Sequence, residues 1–193
     1  LVLAAGSSRR MGATNKLLVP IDGRPMVTHV VDTLAGLDLA ERVVVTGHEA
    51  ERVAAALSGR PLRLVHNDKY LDGMASSLAA GVGALAPDVD AVVVCLGDMP
   101  WVRRETIAAL VAALDPEAGV TIAVPTFEGK RGNPVAWARR HFEAMRALAG
   151  DTGARELIAR YRDEVAFVAV DDPGVLVDVD TEEALAQATR GSG

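Results

Sequence analysis

Several short apolar runs in this chain show no polar alternation. Ala91 to Leu96 is the most apolar, and Val43-Val44-Val45 and Val120 to Val124 are others; Leu62 to His66 and Glu164 to Val170 are expected as further strands. A strand with one wet face alternates, whereas a continuous apolar run needs cover on both faces. Between the runs lie helical patterns. Met26, Val27, Val30, Val31 and Leu34 share one face, opened by Pro25 and ended by Gly36. Further helices are expected at Glu49 to Leu57, Met74 to Leu85, Arg104 to Leu114, His141 to Leu148, Ala154 to Tyr161 and Glu182 to Ala188. Strand and helix alternating in this way predict an α/β class with three α/β/α layers around a mainly parallel sheet. Pro125 is expected to close the strand before it, and Phe127 to Pro134 to form a loop.

Such sheets bind ligands beyond the carboxyl ends of their strands. The turns after the opening run Leu1 to Ala4, after His66-Asn67 and at Asp98 are therefore expected on one rim. No repeat or polar linker divides the 193 residues, which predicts a single domain over 1–193 with 189–193 a frayed end. A net charge of −6 argues against a nucleic-acid partner. It leaves a basic loop in an acidic protein, which suits a small anion. Cys95, the single cysteine, is expected to be a buried core thiol. No apolar run reaches the ~18 residues of a membrane span, so no membrane association and a cytoplasmic location are expected.

The basic loop is Gly6-Ser7-Ser8-Arg9-Arg10-Met11-Gly12, closely followed by Lys16. Glycine lets the backbone approach a ligand, converging N–H groups hold an anion, and cations neutralise it. A polyphosphate is the ligand that fits, the alternative being an ordinary polar turn. It is not a Walker loop: five residues separate Gly6 from Gly12, Lys16 comes four later, and Leu17 follows it. As loop charges, Arg10 and Lys16 are expected to contribute little to folding stability. Asp98 ends the most apolar run, where an aspartate is a turn former, a helix cap or a catalyst. Asp178 and Asp180 flank Val179, so extended backbone puts both on one face; Asp180 or Thr181 also suits the cap of the last helix. Ser76 stands in a small, hydroxyl-rich helix start, which suits either an N-cap or a ligand at free N–H groups.

The opening stretch LVLAAGSSRRMGATNKLL resembles the LAAGxSxRMGxxK signature of nucleotidyltransferases with a GT-A-like, Rossmann-related fold, with one extra residue before the lysine. That resemblance implies a loop around an NTP triphosphate: nucleotide contacts from Leu3, Ala4, Ala5, Gly6, Ser7, Ser8, Arg10 and Lys16, and catalytic roles for Arg10, Lys16 and Asp98. Leu96 to Pro100 is similar to the family's LGDxP motif, whose Asp binds Mg²⁺, and Asp180 falls on a second metal position. Thr181-Glu182-Glu183-Ala184-Leu185 lacks the Pro and Asp of the usual continuation.

Three middle segments resemble the molybdenum cofactor cytidylyltransferases. Asn67 with Gly73 to Leu78 implies nucleotide contacts from Asn67, Gly73, Ser76 and Ser77. Gly150 to Arg155 implies Asp151 near the second substrate. Gly129 to Val135 resembles a GxRGHPV loop with Asn133 in place of His, implying acceptor contacts from Arg131, Gly132 and Asn133. The implied activity is Mg²⁺-dependent transfer of CMP from CTP to the phosphate of a pterin cofactor, with an apo-molybdoenzyme as the downstream partner. GTP or a sugar-phosphate acceptor is the near alternative. A non-catalytic carrier of the pterin cofactor is an alternative of another class.

Overall fold

The computed structural model describes residues 1–7, 15–150 and 153–179. The chain opens with β1 (Val2–Ala4), the hairpin β2 (Pro20–Ile21) and β3 (Arg24–Pro25), and α1 (Met26–Ala35). Then follow β4 (Val43–Thr46), α2 (Ala50–Ala56), β5 (Arg63–His66), α3 (Met74–Gly83), β6 (Ala91–Leu96) and α4 (Arg104–Ala112). The remaining elements are β7 (Ile122–Phe127), β8 (Lys130–Arg131), β9 (Val135–Ala138), α5 (Phe142–Arg146), α6 (Arg155–Arg160) and β10 (Val165–Ala169).

One sheet runs β10-β7-β9-β6-β1-β4-β5, with β8 folded back on β7. β1 is parallel to β4 and β6, β4 to β5, and β7 to β10, while β9 is antiparallel to both its neighbours. The continuous apolar runs are explained by where successive side chains go. Val43, Val45, Val92 and Val94 pack beneath Leu78 and Val82 of α3 and Phe142 and Met145 of α5. Val44 and Cys95 pack on the opposite face with Val27, Val30, Val31 and Leu34 of α1, Val53 of α2 and Ile107 of α4. Three layers result, as the patterning predicts.

Three expectations need correction. Pro125 lies inside β7 rather than closing it. It sits where β7 parts from β9 and takes up β8, so its missing N–H falls at a break in the ladder. The segment expected as a loop is a hairpin, turned by Glu128 and Gly129 at φ 49° and 76°. Val135–Ala138, assigned no element from sequence, is a fully buried strand carrying Trp137. Cys95 is buried as expected, and burial pushes its thiol up to about 11. No helix among the described residues is long and apolar enough to cross a membrane.

Behind the sheet, His141 donates from Nε2 to Thr121 Oγ1 at 2.7 Å, and that hydroxyl donates to Glu164. The ring therefore carries a proton on Nε2, because Thr121 has one proton and uses it on the carboxylate. Burial lowers the His141 pKa from its ordinary 6.5; Glu164 opposes the shift and Arg140 adds to it. A folded pKa below the unfolded one gives stability that is whole above about pH 6.5 and lost as pH falls through the folded value. We expect the melting temperature to drop on acidification below that point. His141→Gln, which keeps a donor for Thr121, should flatten this part of the profile in thermal melts.

Candidate active site

The site is built on the carboxyl ends of β1, β4, β5 and β6. Leu3 pairs with Leu96, Ala4 with Thr46, and Thr46 with His66, so the turns beyond them stand side by side. The crossing is tight. A Cβ on Gly97 would lie 3.0 Å from the Leu3 carbonyl oxygen, and one on Gly47 would lie 2.9 Å from the Ala5 Cβ and 2.5 Å from that of Tyr70. Leu3 and Ala4 send their side chains into the two core layers, which leaves only their backbone for a ligand. The Ala5 carbonyl accepts from the His48 N–H at 3.2 Å, and a Cβ on Gly6 would meet no atom of the described residues within 4 Å.

Lys16 opens a single 3-10 turn, Lys16–Leu18. Asn15 caps that turn through Oδ1, which accepts from the Leu17 N–H at 3.1 Å, and Leu17 is buried against α1. With both neighbours held, the Lys16 side chain reaches across to Asp98, Nζ to Oδ2 at 2.6 Å. The pair is 13% and 19% exposed, so Lys16 is not the solvated loop charge expected from sequence. Removing it would leave a half-buried carboxylate short of a partner, so Lys16→Ala should cost stability as well as function. Arg10 and Ser8 lie outside the described residues.

The segment leading to Asp180 arrives beside Asp98: the Val179 N–H donates to the Asp98 carbonyl at 3.0 Å. Val179 is buried with Ile21 and Met26, while Asp178 is exposed. Asp180 itself lies outside the described residues. No group of three or more His, Cys, Asp or Glu that could hold a metal occurs among the described residues. A rim carboxylate fits a hard cation that takes one or two protein carboxylates and completes its shell with water and phosphate. It does not fit a closed, soft-ligand site.

Asn67 is buried at the end of β5 and ties that turn to α3. Its Nδ2 donates to the hydroxyls of Ser76 and Ser77 at 2.9 and 3.0 Å, and its Oδ1 accepts from the Lys69 N–H. Gly73, at φ 101°, is the N-cap of α3. Ser76 lies inside the first turn, its single hydroxyl proton within reach of the Lys69 and Gly73 carbonyls at 2.7 and 2.9 Å, so it is not the N-cap. The Ala75 N–H is taken by the Gly150 carbonyl at 3.1 Å, which brings the segment around Asp151 to the start of α3. Asp151 lies outside the described residues.

On the other side, the Arg131 guanidinium sits 4.5 Å over the ring of Phe167. A Cβ on Gly132 would lie 2.3 Å from the Val175 carbonyl oxygen, and that same carbonyl accepts from the Asn133 N–H at 2.9 Å. This packing ties the hairpin to the segment that leads to Val179. Sequence reasoning missed Asn15, His48 and Glu49. For Asn15 a signal existed, since an Asn before a turn of this kind is a capping residue.

Residues 1–165 match the family described as the MobA-like NTP transferase domain. The nicotine blue oxidoreductase of Paenarthrobacter nicotinovorans is 30% identical over 190 residues, covering 96% of this chain and 93% of that protein. The bifunctional protein GlmU of Alkalilimnicola ehrlichii is 41% identical over 121 residues, but those cover 62% of this chain and 26% of GlmU, so the chain spans about a quarter of that relative. Among solved structures, the homologue of Mycobacterium tuberculosis Rv0371c from Mycobacterium sp. strain JC1 has a TM-score of 0.86 at 29% identity, over 98% of this chain and 93% of that one. Rv0371c itself, solved in complex with manganese, has a TM-score of 0.80 at 26% identity, over 98% and 96%. A basic, glycine-containing sequence after the first strand, an aspartate at the end of the central one and a match over most of the chain agree: this chain belongs to the MobA-like NTP transferase domain family.

Proposed function

We propose that the protein is a divalent-metal-dependent nucleotidyltransferase that moves CMP from CTP to the terminal phosphate of a molybdopterin-type pterin. The observation that carries this reading is the Lys16–Asp98 pair, which joins the end of the glycine loop to the end of the central strand across 82 positions. An acceptor phosphate oxygen attacks the α-phosphorus, the bond to the β-phosphate breaks, and pyrophosphate leaves. No covalent enzyme intermediate is required. The chain's task is to align two anions and to stabilise the charge spread over the phosphorus centre. Backbone N–H groups of Ala5 to Ser8, with Arg10 and Lys16, hold the triphosphate. Asp98 and Asp180 hold Mg²⁺, which when bound supplies positive charge to the phosphates. Asn67, Gly73, Ser76 and Ser77 shape the nucleoside side, and Arg131, Gly132, Asn133 and Asp151 the acceptor side. An apo-molybdoenzyme would receive the product.

The resemblance implies the base preference: GTP-using members of the wider family carry glycine at the position of Ala5, whose methyl here lies beside Gly47. CTP is expected to give a higher kcat/KM than GTP, and equal values would overturn the assignment of base. The direct test incubates the protein with each NTP, Mg²⁺ and molybdopterin, and reads pyrophosphate and product mass. A sugar phosphate runs as a parallel acceptor. The near full-length relative named as an oxidoreductase supports a second reading, reduction of a bound heterocycle. A parallel incubation with a reduced nicotinamide decides it: consumption of the nicotinamide without pyrophosphate release favours the reductase.

A further inference from the structure

Three non-glycine residues among those described have left-handed backbone: Asp22, Glu128 and Glu49, each at φ 49°. The first two turn hairpins, where that conformation is ordinary. Glu49 is not in a hairpin. It stands between β4 and α2, as the N-cap of α2, with no capping bond from its own side chain. A non-glycine residue is held there only when its surroundings fix it. Its carboxylate is anchored by Arg52 on α2, the largest cause holding its pKa below the usual range. Its Oε2 is inaccessible to water and has no hydrogen-bond partner of normal geometry among the described residues.

Facing it is Asn15, 1% exposed, the residue immediately before Lys16. Every polar atom of the Asn15 side chain is engaged. Oδ1 accepts from the Leu17 N–H, closing the turn that begins at Lys16. Nδ2 donates to the His48 carbonyl at 3.4 Å, and the same amide contributes to the lowered pKa of Glu49. The His48 N–H in turn binds the Ala5 carbonyl. One buried amide thus links the turn carrying Lys16, the β4–α2 turn and the end of β1.

We infer that Asn15 is a positioning residue for Lys16, clamped by the left-handed turn at His48–Glu49, and that it acts on nucleotide only through the lysine. The inference rests on the proposed reading that Lys16 engages the triphosphate. Without the Asn15 cap, the Lys16–Leu18 turn loses its closing bond and the ammonium its fixed origin.

The experiment measures CTP binding in the presence of Mg²⁺ by calorimetry for the wild type, Asn15→Ala, Lys16→Ala and their double variant, with melting curves for each. Expected is a roughly tenfold weaker Kd for Asn15→Ala, and a double variant within about twofold of Lys16→Ala alone, because residues acting as one unit do not add. Losses that multiply would overturn the inference, as would wild-type affinity in folded Asn15→Ala while Lys16→Ala is impaired. If Lys16→Ala also binds CTP normally, the nucleotide reading itself fails.

A second pair guards against a misfolded alanine variant. Asn15→Asp keeps the acceptor for Leu17 but sets a carboxylate against Glu49. Adding Glu49→Gln returns a donor to the pair. Recovery of CTP affinity in the double variant supports positioning, and a folded but unrescued double variant overturns it.

Discussion

Asp98→Asn should yield a folded protein whose pyrophosphate release falls about 10²–10³-fold, the loss typical of removing one electrostatic contact to a developing charge. The substitution preserves shape, and the backbone of the turn does not depend on the side chain. Gly97 stays fixed by its N–H bond to the Leu3 carbonyl, and the Asp98 carbonyl keeps its bond from Val179. What is lost is charge. Lys16, 2.6 Å away, then faces an amide, and a cation that prefers carboxylate oxygens loses one. Both partners retain some solvent access, so the stability cost should stay near ~1 kcal/mol, well below that of breaking a fully buried pair. CTP should still bind weakly through the glycine loop. Asp180→Asn should be milder, since an amide oxygen can ligate in its place. Turnover and calorimetric melts on the same preparations separate the cases. Near-normal turnover in Asp98→Asn would remove metal-assisted nucleotidyl transfer as the function, and a collapsed melting curve would make the aspartate structural.

The parts of this fold that were legible in sequence are those with a single dominant local signal. Ala91–Leu96 is legible because six apolar residues, rich in valine and closed by Gly97-Asp98, suit a strand covered on both faces, and the structure bounds it there. α1 is legible because its apolar positions follow one helical face to Gly36. β9 is not, because four residues after a proline carry no period, and their burial is set by β6 and β7 on either side. Pro125 misleads because its position in a ladder break is a tertiary fact. At the site, Lys16 and Asp98 are legible as motif positions. Their mutual distance is not, because it depends on β1 and β6 being neighbours. Asn15 reads locally as a loop residue, and its burial is created by the β4–α2 turn folding over it.

Gly132→Ala should be the most damaging of the small substitutions on the acceptor side, and its mechanism is overpacking against backbone. The new Cβ would lie 2.3 Å from the Val175 carbonyl oxygen and 2.8 Å from its carbonyl carbon and its Cβ. None of these is the far end of a flexible side chain, so the hairpin or the 173–176 turn must move. Neither is free to do so. The Gly132 N–H is bonded to the Pro125 carbonyl and the Asn133 N–H to Val175. On the far side, Asp172 accepts from the Arg103 N–H, the Thr106 hydroxyl and the Gly174 N–H. Gly174 in turn has no room for a Cβ against the Trp101 carbonyl. Forcing a methyl into such a junction typically costs about 1–3 kcal/mol, which for a domain of this size lowers Tm by about 2–12 °C. Gly83→Ala is the contrast. It ends α3 with only the Arg146 Cδ at 4.0 Å from the new methyl, and a helix gains up to about 1 kcal/mol from losing a glycine. The same segment, 173–179, reaches the Asp98 carbonyl through the Val179 N–H, so Gly132→Ala should also lower turnover at temperatures where it is fully folded. Unchanged melting in Gly132→Ala would show that the hairpin and the 173–176 turn yield freely. A lowered melting temperature with normal turnover would confine Gly132 to packing, and a raised acceptor KM would give it a part in binding as well.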